Sequence, residues 1–408
     1  MSTPAGSKVF DYIEQLAAIS EEEGRLTRVS LSEQHRQANN FIAARMREAG
    51  MLVHTDAIGN IVGRLEGESD KRALLLGSHL DTVRDAGRFD GMLGVVAPIV
   101  CIEQLQQRGI KLPFAVEIVG FCDEEGVRFP STLLGSRAIA GTLDPAVLNE
   151  CDANNISLAS ALEAFGQDPA KISSARRNAD EFLGFVEVHI EQGPVLERED
   201  LPVGLVSAIS GAGRYSIVVD GIAAHAGTVP MGLRRDALVA ASQCIVDIER
   251  ICSTLPDVVG TVGVIDAMPG AGNVIPGRVE FSLDLRSSRD STRADAEQQI
   301  FNAIDHIAAT RQVSITWQQT YEANSVTCDE GLSAQIANAI ERSDYRVHSL
   351  PSGAGHDAMA LAELTNVAML FVRCAGGISH NPEESITEAD ADAAVQVLCE
   401  LLIQFDCG

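Results

Sequence analysis

Four apolar runs constrain this chain more than any other feature: RALLLGSH (72–79), FAVEIVGFCDEE (114–125), GFVEVHIEQG (184–193) and NVAMLFVRCAGGISH (366–380). They are too continuously apolar for half-exposed strands, and helical stretches such as VVAPIVCIEQLQQRG (95–109) separate several of them. Buried strands alternating with helices predict an α/β fold around a largely parallel, covered sheet. Each run also ends in histidine or acid, namely His79, Glu124 with Glu125, His189 and His380. Open α/β sheets build their sites at the carboxyl ends of strands. Four strands delivering such residues to one end predict a site there.

A chain of 408 residues has room for two domains. Before the first run, a helical pattern closes with RQANNFIAARMREAG at Gly50, and LVHTDAIGNIVGRLEG reads as a hairpin about Gly59 and Asn60. Between 211 and 325 the order is strand (RYSIVVDGIAAHAG), helix (DALVAASQCIVDIERICSTL), strand (VVGTVGVIDA), strand (RVEFSLDLRS), helix (RADAEQQIFNAIDHIAATRQ), strand (SITWQQTYEA). This is the βαββαβ order of a ferredoxin-like sandwich. Because chemistry-bearing strands flank it on both sides, 211–325 is expected to be inserted into a domain made of 1–210 and 326–408.

Composition excludes some partners. A formal net charge of −26 argues against nucleic acid and anionic membrane. There is no apolar stretch of membrane-spanning length, and MSTPAGSKVFDYIEQLAAIS lacks the regions of a signal peptide. The nine cysteines are scattered without CxxC pairs, as expected of reduced core residues. A cytoplasmic protein is expected.

The stretch GSHLDTVRDAGRFDGMLGV (77–95) adds Asp81 and Asp90 beside His79. Five residues, His79, Asp90, Glu125, His189 and His380, are too many for one tetrahedral ion. They suit two divalent cations roughly 3.5–4 Å apart, with Asp90 between them. Mixed imidazole and carboxylate ligation accepts zinc, manganese, cobalt or nickel, and zinc or manganese is preferred here. Asp81, two residues beyond His79 on the same side, would hold that imidazole's other nitrogen. Of the paired Glu124 and Glu125, one can bind metal while the other takes a proton from water. Taken singly, an EE pair is a solvated turn and His35, His54, His306 or His348 a surface or structural residue; the combination carries the reading. His356 and Asp357 read as structural, and PSGAGHDAM (351–359) offers backbone N–H groups to a substrate.

Together with GFCDEEGVRFP, EVHIEQGPVLE, AHAGTVPMGLRRDA and GGISHNPEE, the same stretch resembles the amidase/hydantoinase–carbamoylase branch of the di-zinc aminoacylase and carboxypeptidase superfamily. The resemblance covers nearly the whole chain. It implies a di-zinc exopeptidase-like catalytic domain, and an inserted ferredoxin-like lid that also makes a homodimer. It puts the five metal residues on the family's ligands, Glu124 on its general base and Asp81 on the carboxylate behind the metal. Arg286 falls on the arginine gripping a substrate carboxylate, and Asn273 and Gln192 fall on substrate-binding positions. His225 falls on a histidine that stabilises the carbonyl oxygen from the partner subunit. The implied reaction is hydrolysis of a ureido C–N bond in a small anionic acid. Allantoate is the first candidate substrate and an N-carbamoyl-L-amino acid (or β-ureidopropionate) the second. An aminoacylase or peptidase, or an inactive binding homologue, stands behind these.

Overall fold

The computed structural model describes residues 4–407. The chain divides into two compact units. One comprises the residues up to Ser207, Cys328–Leu350 and those from Ala354 onward; the other comprises Ala208–Thr327 with Pro351–Gly353.

In the first unit, seven strands of the sheet lie in the order Leu52–Thr55, Ile61–Leu65, Ala115–Phe121, Ala73–His79, Phe182–Ile190, Val367–Val372, Val203–Ile209. The four central strands are parallel. The outer ones pair antiparallel, so the sheet is mixed rather than largely parallel. The reason on one side is local, since the connection at 56–60 is too short for anything but a hairpin. The Asp56 carboxylate accepts the N–H groups of Ile58, Gly59 and Asn60 and closes that turn. Asn60 then reaches across the sheet, accepting the Cys122 N–H at Oδ1 and donating to the Gly135 carbonyl. The hairpin thus fixes the segment that carries Glu124 and Glu125.

Every residue of Ala73–His79 and of Ala115–Phe121 is buried, the burial expected of strands covered on both faces. Helices Ala5–Ala17, Met92–Gln107 and Glu388–Gln404 pack together over the main core. The middle helix is apolar on all sides and begins one residue after Gly91, so its positive end lies beside Asp90.

The second unit is an antiparallel sheet in the order Ile265–Met268, Arg278–Ser287, Gly211–Asp220, Ser314–Ala323. Val258–Thr261 also pairs with Arg278–Ser287, so the expected strand VVGTVGVIDA is interrupted. Helices Ala237–Thr254 and Asp290–Arg311 pack with Tyr215, Ile217, Val219, Val279, Phe281, Leu283 and Leu285 in one core. These strand residues alternate with outward-facing ones, so one face of the sheet is covered and the other is open. The order of elements is ferredoxin-like. A two-residue ribbon, Ala224–His225 against Val274–Ile275, stands apart from it.

Candidate metal centre

Asp90 is the hub of the first unit's strand ends. Its Oδ1 lies 3.3 Å from His79 Nε2 and 3.2 Å from His189 Nε2, and its Oδ2 lies 3.5 Å from His380 Nε2. His380 Nε2 is also 3.7 Å from Glu125 Oε1. Donor atoms converge within 4.8 Å in three overlapping groups: His79, Asp90, His189; His79, Glu124, Glu125; and Asp90, Glu125, His380.

The imidazoles are held in the form a metal needs. His79 Nδ1 lies 2.9 Å from the Asp81 main-chain carbonyl, and His189 Nδ1 lies 2.9 Å from that of Ile190. A carbonyl can only accept, so Nδ1 carries a hydrogen and Nε2 is the nitrogen left to face a metal. The Asp81 side chain does something else. Its two oxygens accept the N–H groups of Glu124 and Glu125 at 3.2 and 3.3 Å, and its Oδ1 is 3.9 Å from His79 Nδ1. The carboxylate therefore clamps the glutamate turn, while the carbonyl aims the histidine. Asp123, at the start of that turn, and His380 have φ of +63° and +55°, a conformation that non-glycine residues adopt only when their surroundings impose it.

Gln192, expected as a substrate contact, lies against the hub residue Asp90. Its Nε2 donates to Asp90 Oδ2 (2.8 Å) and to Ser379 Oγ (3.0 Å). The Ser379 hydroxyl donates to the same Asp90 oxygen at 2.7 Å and lies 3.2 Å from Glu384 Oε2. Glu384 Oε1 accepts the N–H groups of Phe89 and Asp90. Ser379 and Glu384 were missed in the sequence, although GGISHNPEE contains both. Glu187 was missed as well. It is buried and accepts from Ser78 Oγ and the Ala358 N–H, so one of the loop N–H groups expected to cradle substrate is taken. Its spacing of two from His189 was the available signal. His356 is buried with its ring 4.5 Å from that of His189, edge to face, a packing role.

Without cations the cluster is electrostatically strained. Burial pushes Glu124 well above the usual carboxylate range, and Glu125 and Asp357 nearby add to the shift. Burial and then Asp90 take Glu125 up to about 8. Asp90 goes the other way: burial would raise it, but the His189 and His79 imidazoles hold it well below. His79 stays well above its usual value because Asp90 and the glutamates outweigh its burial. Nitrogen and oxygen donors around buried and half-buried carboxylates, with no thiolate in the three groups, fit divalent metal ions.

Three of the expected residues belong to the second unit. The ribbon register sets His225 opposite Val274, and Ala226 N–H donates to the Asn273 carbonyl, so His225 and Asn273 share one exposed ribbon. Arg286 lies on Arg278–Ser287, paired with Asp284. A cavity of about 730 Å³ in the first unit is lined by Arg64, Arg72, Glu117 and Arg177. Those arginines are already matched by carboxylates, so it offers no competing site.

Known proteins bear on the site through the chain as a whole. The chain is 40% identical over 405 residues to an N-carbamoyl-L-amino acid amidohydrolase of Geobacillus stearothermophilus, covering 99% of each. It is 40% identical over 412 residues to allantoate deiminase 2 of Glycine max, covering 93% of this chain and 85% of the relative. The crystal structure of an amidase of the hydantoinase/carbamoylase family from Burkholderia multivorans superposes with a TM-score of 0.93 at 31% identity, covering 99% of this chain and 98% of that one. The model of Peptidase family M20/M25/M40 matches residues 75–404, a span that includes all of the strand-end donors, and the chain belongs to that family.

Proposed function

We propose that the protein is a metal-dependent amidohydrolase that cleaves the ureido C–N bond of a small carboxylate substrate, releasing ammonia and carbon dioxide. The observation that carries this is Asp90, poised between His79 with His189 on one oxygen and His380 on the other, with Glu124 beside Glu125. His79, Asp90, Glu125, His189 and His380 would hold two divalent ions, zinc or manganese by preference. Bound there, the ions would acidify water and polarise the substrate carbonyl.

The chain's own groups do the rest. Glu124, half-buried beside Glu125, takes the proton from the attacking water and returns it to the departing nitrogen. Arg286 grips the substrate carboxylate and sets its distance from the ureido carbon. His225 and Asn273 bind the carbonyl side of the substrate, with His225 supplied by the partner of a homodimer. The dimer reading is supported by exposed Val239 and Val246 on the helix Ala237–Thr254 and exposed Val259 and Ile265 on the sheet edge of the same unit. In that reading the inserted unit acts as both lid and dimerisation element, and the protein works in the cytoplasm. No helix among the described residues is long and apolar enough to cross a membrane.

Allantoate is the leading substrate. N-carbamoyl-L-amino acids are the second reading, favoured by the Geobacillus relative that matches from end to end. The test is ammonia release by metal-reconstituted protein on allantoate and on N-carbamoyl L- and D-amino acids, with dipeptides and N-acyl amino acids alongside. Preference for allantoate supports the first reading and preference for a carbamoyl amino acid the second. Cleavage of dipeptides or N-acyl amino acids alone refutes both.

A further inference from the structure

Arg286 carries the anion in the reading above, yet its guanidinium is already engaged. Asp284, two residues earlier on the same face of the strand, accepts from Nε at 2.7 Å and from Nη2 at 3.0 Å. Nη1 donates to the Gly353 carbonyl at 2.7 Å. One arginine bidentately paired with one carboxylate is close to neutral, a weak trap for a second carboxylate in a chain of net charge −26.

The pair is not alone. Arg214 stands directly opposite Asp284 in the antiparallel register, and its Nε donates to Asp284 Oδ2 at 3.0 Å. Its guanidinium lies over the Tyr321 ring, 4.8 Å from the centroid, on the next strand of the same open face. Two guanidinium groups therefore share one carboxylate, leaving one unit of positive charge. The stacking on Tyr321 adds a weak restraint on the half-exposed Arg214 side chain.

We infer that Arg214 is a positioning residue for substrate recognition: by sharing Asp284 it leaves Arg286 oriented yet net cationic, so that a ureido acid's carboxylate completes a two-to-two charge cluster. Asp284 fixes the plane of the Arg286 fork, and Arg214 supplies the charge that this pairing would otherwise cancel. The inference rests on Arg286 being the carboxylate anchor.

The experiment compares R214Q, R214K, R286A and the double variant R214Q/D284N with the parent. Steady-state kinetics are run on allantoate and on N-carbamoyl-L-amino acids at low and high salt. R214Q should raise KM about tenfold at low salt, with kcat within about twofold, and the effect should shrink in about 0.5 M salt. R214K, which keeps the charge, should recover most of the loss. The double variant restores the net charge by removing both partners, and its KM should return to within about threefold of the parent. If R286A raises KM and R214Q leaves it unchanged, the role of Arg214 is overturned and the anchor reading survives. If R286A itself leaves KM unchanged, the anchor reading falls and takes this inference with it. A loss of kcat in R214Q that R214K and the double variant do not relieve would show a merely structural residue, and would also overturn it.

Discussion

Gly91 sits where the chain turns from Asp90 into the helix Met92–Gln107, at φ +69° and ψ −50°. A side chain there faces two penalties. That backbone conformation costs a non-glycine residue about 1–3 kcal/mol. A Cβ would also lie 2.5 Å from both Cε1 and Nδ1 of the His79 ring, so the buried ring must move by about 1 Å to regain normal contact. It has nowhere to go, being held by the Asp81 carbonyl at 2.9 Å and by Asp90 at 3.3 Å. Losing the first of these adds about 1 kcal/mol. Gly91→Ala should therefore destabilise the protein by about 2–4 kcal/mol and lower metal affinity about 10- to 100-fold, as when a ligand loses its orienting partner. The control is Gly109→Ala, at φ +67° with nothing within 4 Å of a new Cβ. It carries a backbone penalty of about 1–2 kcal/mol and should keep its metal. Thermal melts of the metal-free proteins, with metal content measured after dialysis against a competing chelator, separate the two effects. Full metal retention by Gly91→Ala, or equal metal loss in Gly109→Ala, would refute the reasoning.

Glu124→Gln should lower kcat by about 10²–10⁴-fold while metal content stays at the parent level, measured by ammonia release and elemental analysis; a drop in metal instead would make Glu124 a ligand. Chelating the metal should make stability pH-sensitive. The Glu125 carboxyl, at about 8 in the metal-free fold against 4.5 ordinarily, contributes stability that is full below pH 4.5 and lost as pH rises through 8, so chemical denaturation of the metal-free protein should weaken over that range. His35 has the opposite sign. Burial and then Arg28 lower it to about 3 from 6.5, so its contribution is full above pH 6.5 and falls by about 1.4 kcal/mol per pH unit below that; His35→Gln should flatten this slope relative to the parent. Ser379→Ala, which removes the 2.7 Å hydrogen bond to Asp90, should weaken metal binding about tenfold with a small change in thermal stability, checked by competition with a chromogenic chelator.

The part of the site that could be read from the sequence is the part whose chemistry is carried by residue type at the end of a patterned element. His79, Glu125, His189 and His380 each close an apolar run, and the structure brings them to one place. What could not be read was which atom of a residue does the work. Asp81 is near His79 in sequence, which made its carboxylate the natural partner of the ring. Only the fold shows the main-chain carbonyl taking that role and the side chain spanning 43 residues to the Glu124 N–H. Glu384 reaches the Asp90 N–H across 294 positions, and no periodicity marks such a contact. The sheet followed the same rule. Its parallel centre was legible from uninterrupted burial, but its antiparallel edges were not: one starts from the short hairpin at 56–60, and the others are long-range pairings that apolar patterning does not encode.

The two units handle charge in opposite ways, a division that suits the proposed function. In the first, buried Asp90 and half-buried Glu124 and Glu125 gather with imidazoles and, among the described residues, without a paired lysine or arginine, an arrangement that favours cations. In the second, the open face of the sheet carries Arg214 and Arg286 on one shared Asp284, an arrangement that favours an anion. Neither imbalance serves the stability of its own unit, since burying like charges and leaving a guanidinium under-matched both weaken a fold. The proposed hydrolysis of a carboxylate substrate calls on both kinds of charge. If Arg214 were replaced by a neutral residue, the second unit would hold a balanced pair of comparable stability and lose its attraction for substrate, so affinity and thermal stability should part company at that one position. A matching loss of both would mean that the extra arginine is there for the sheet, and the division of charge between the units would have no bearing on binding.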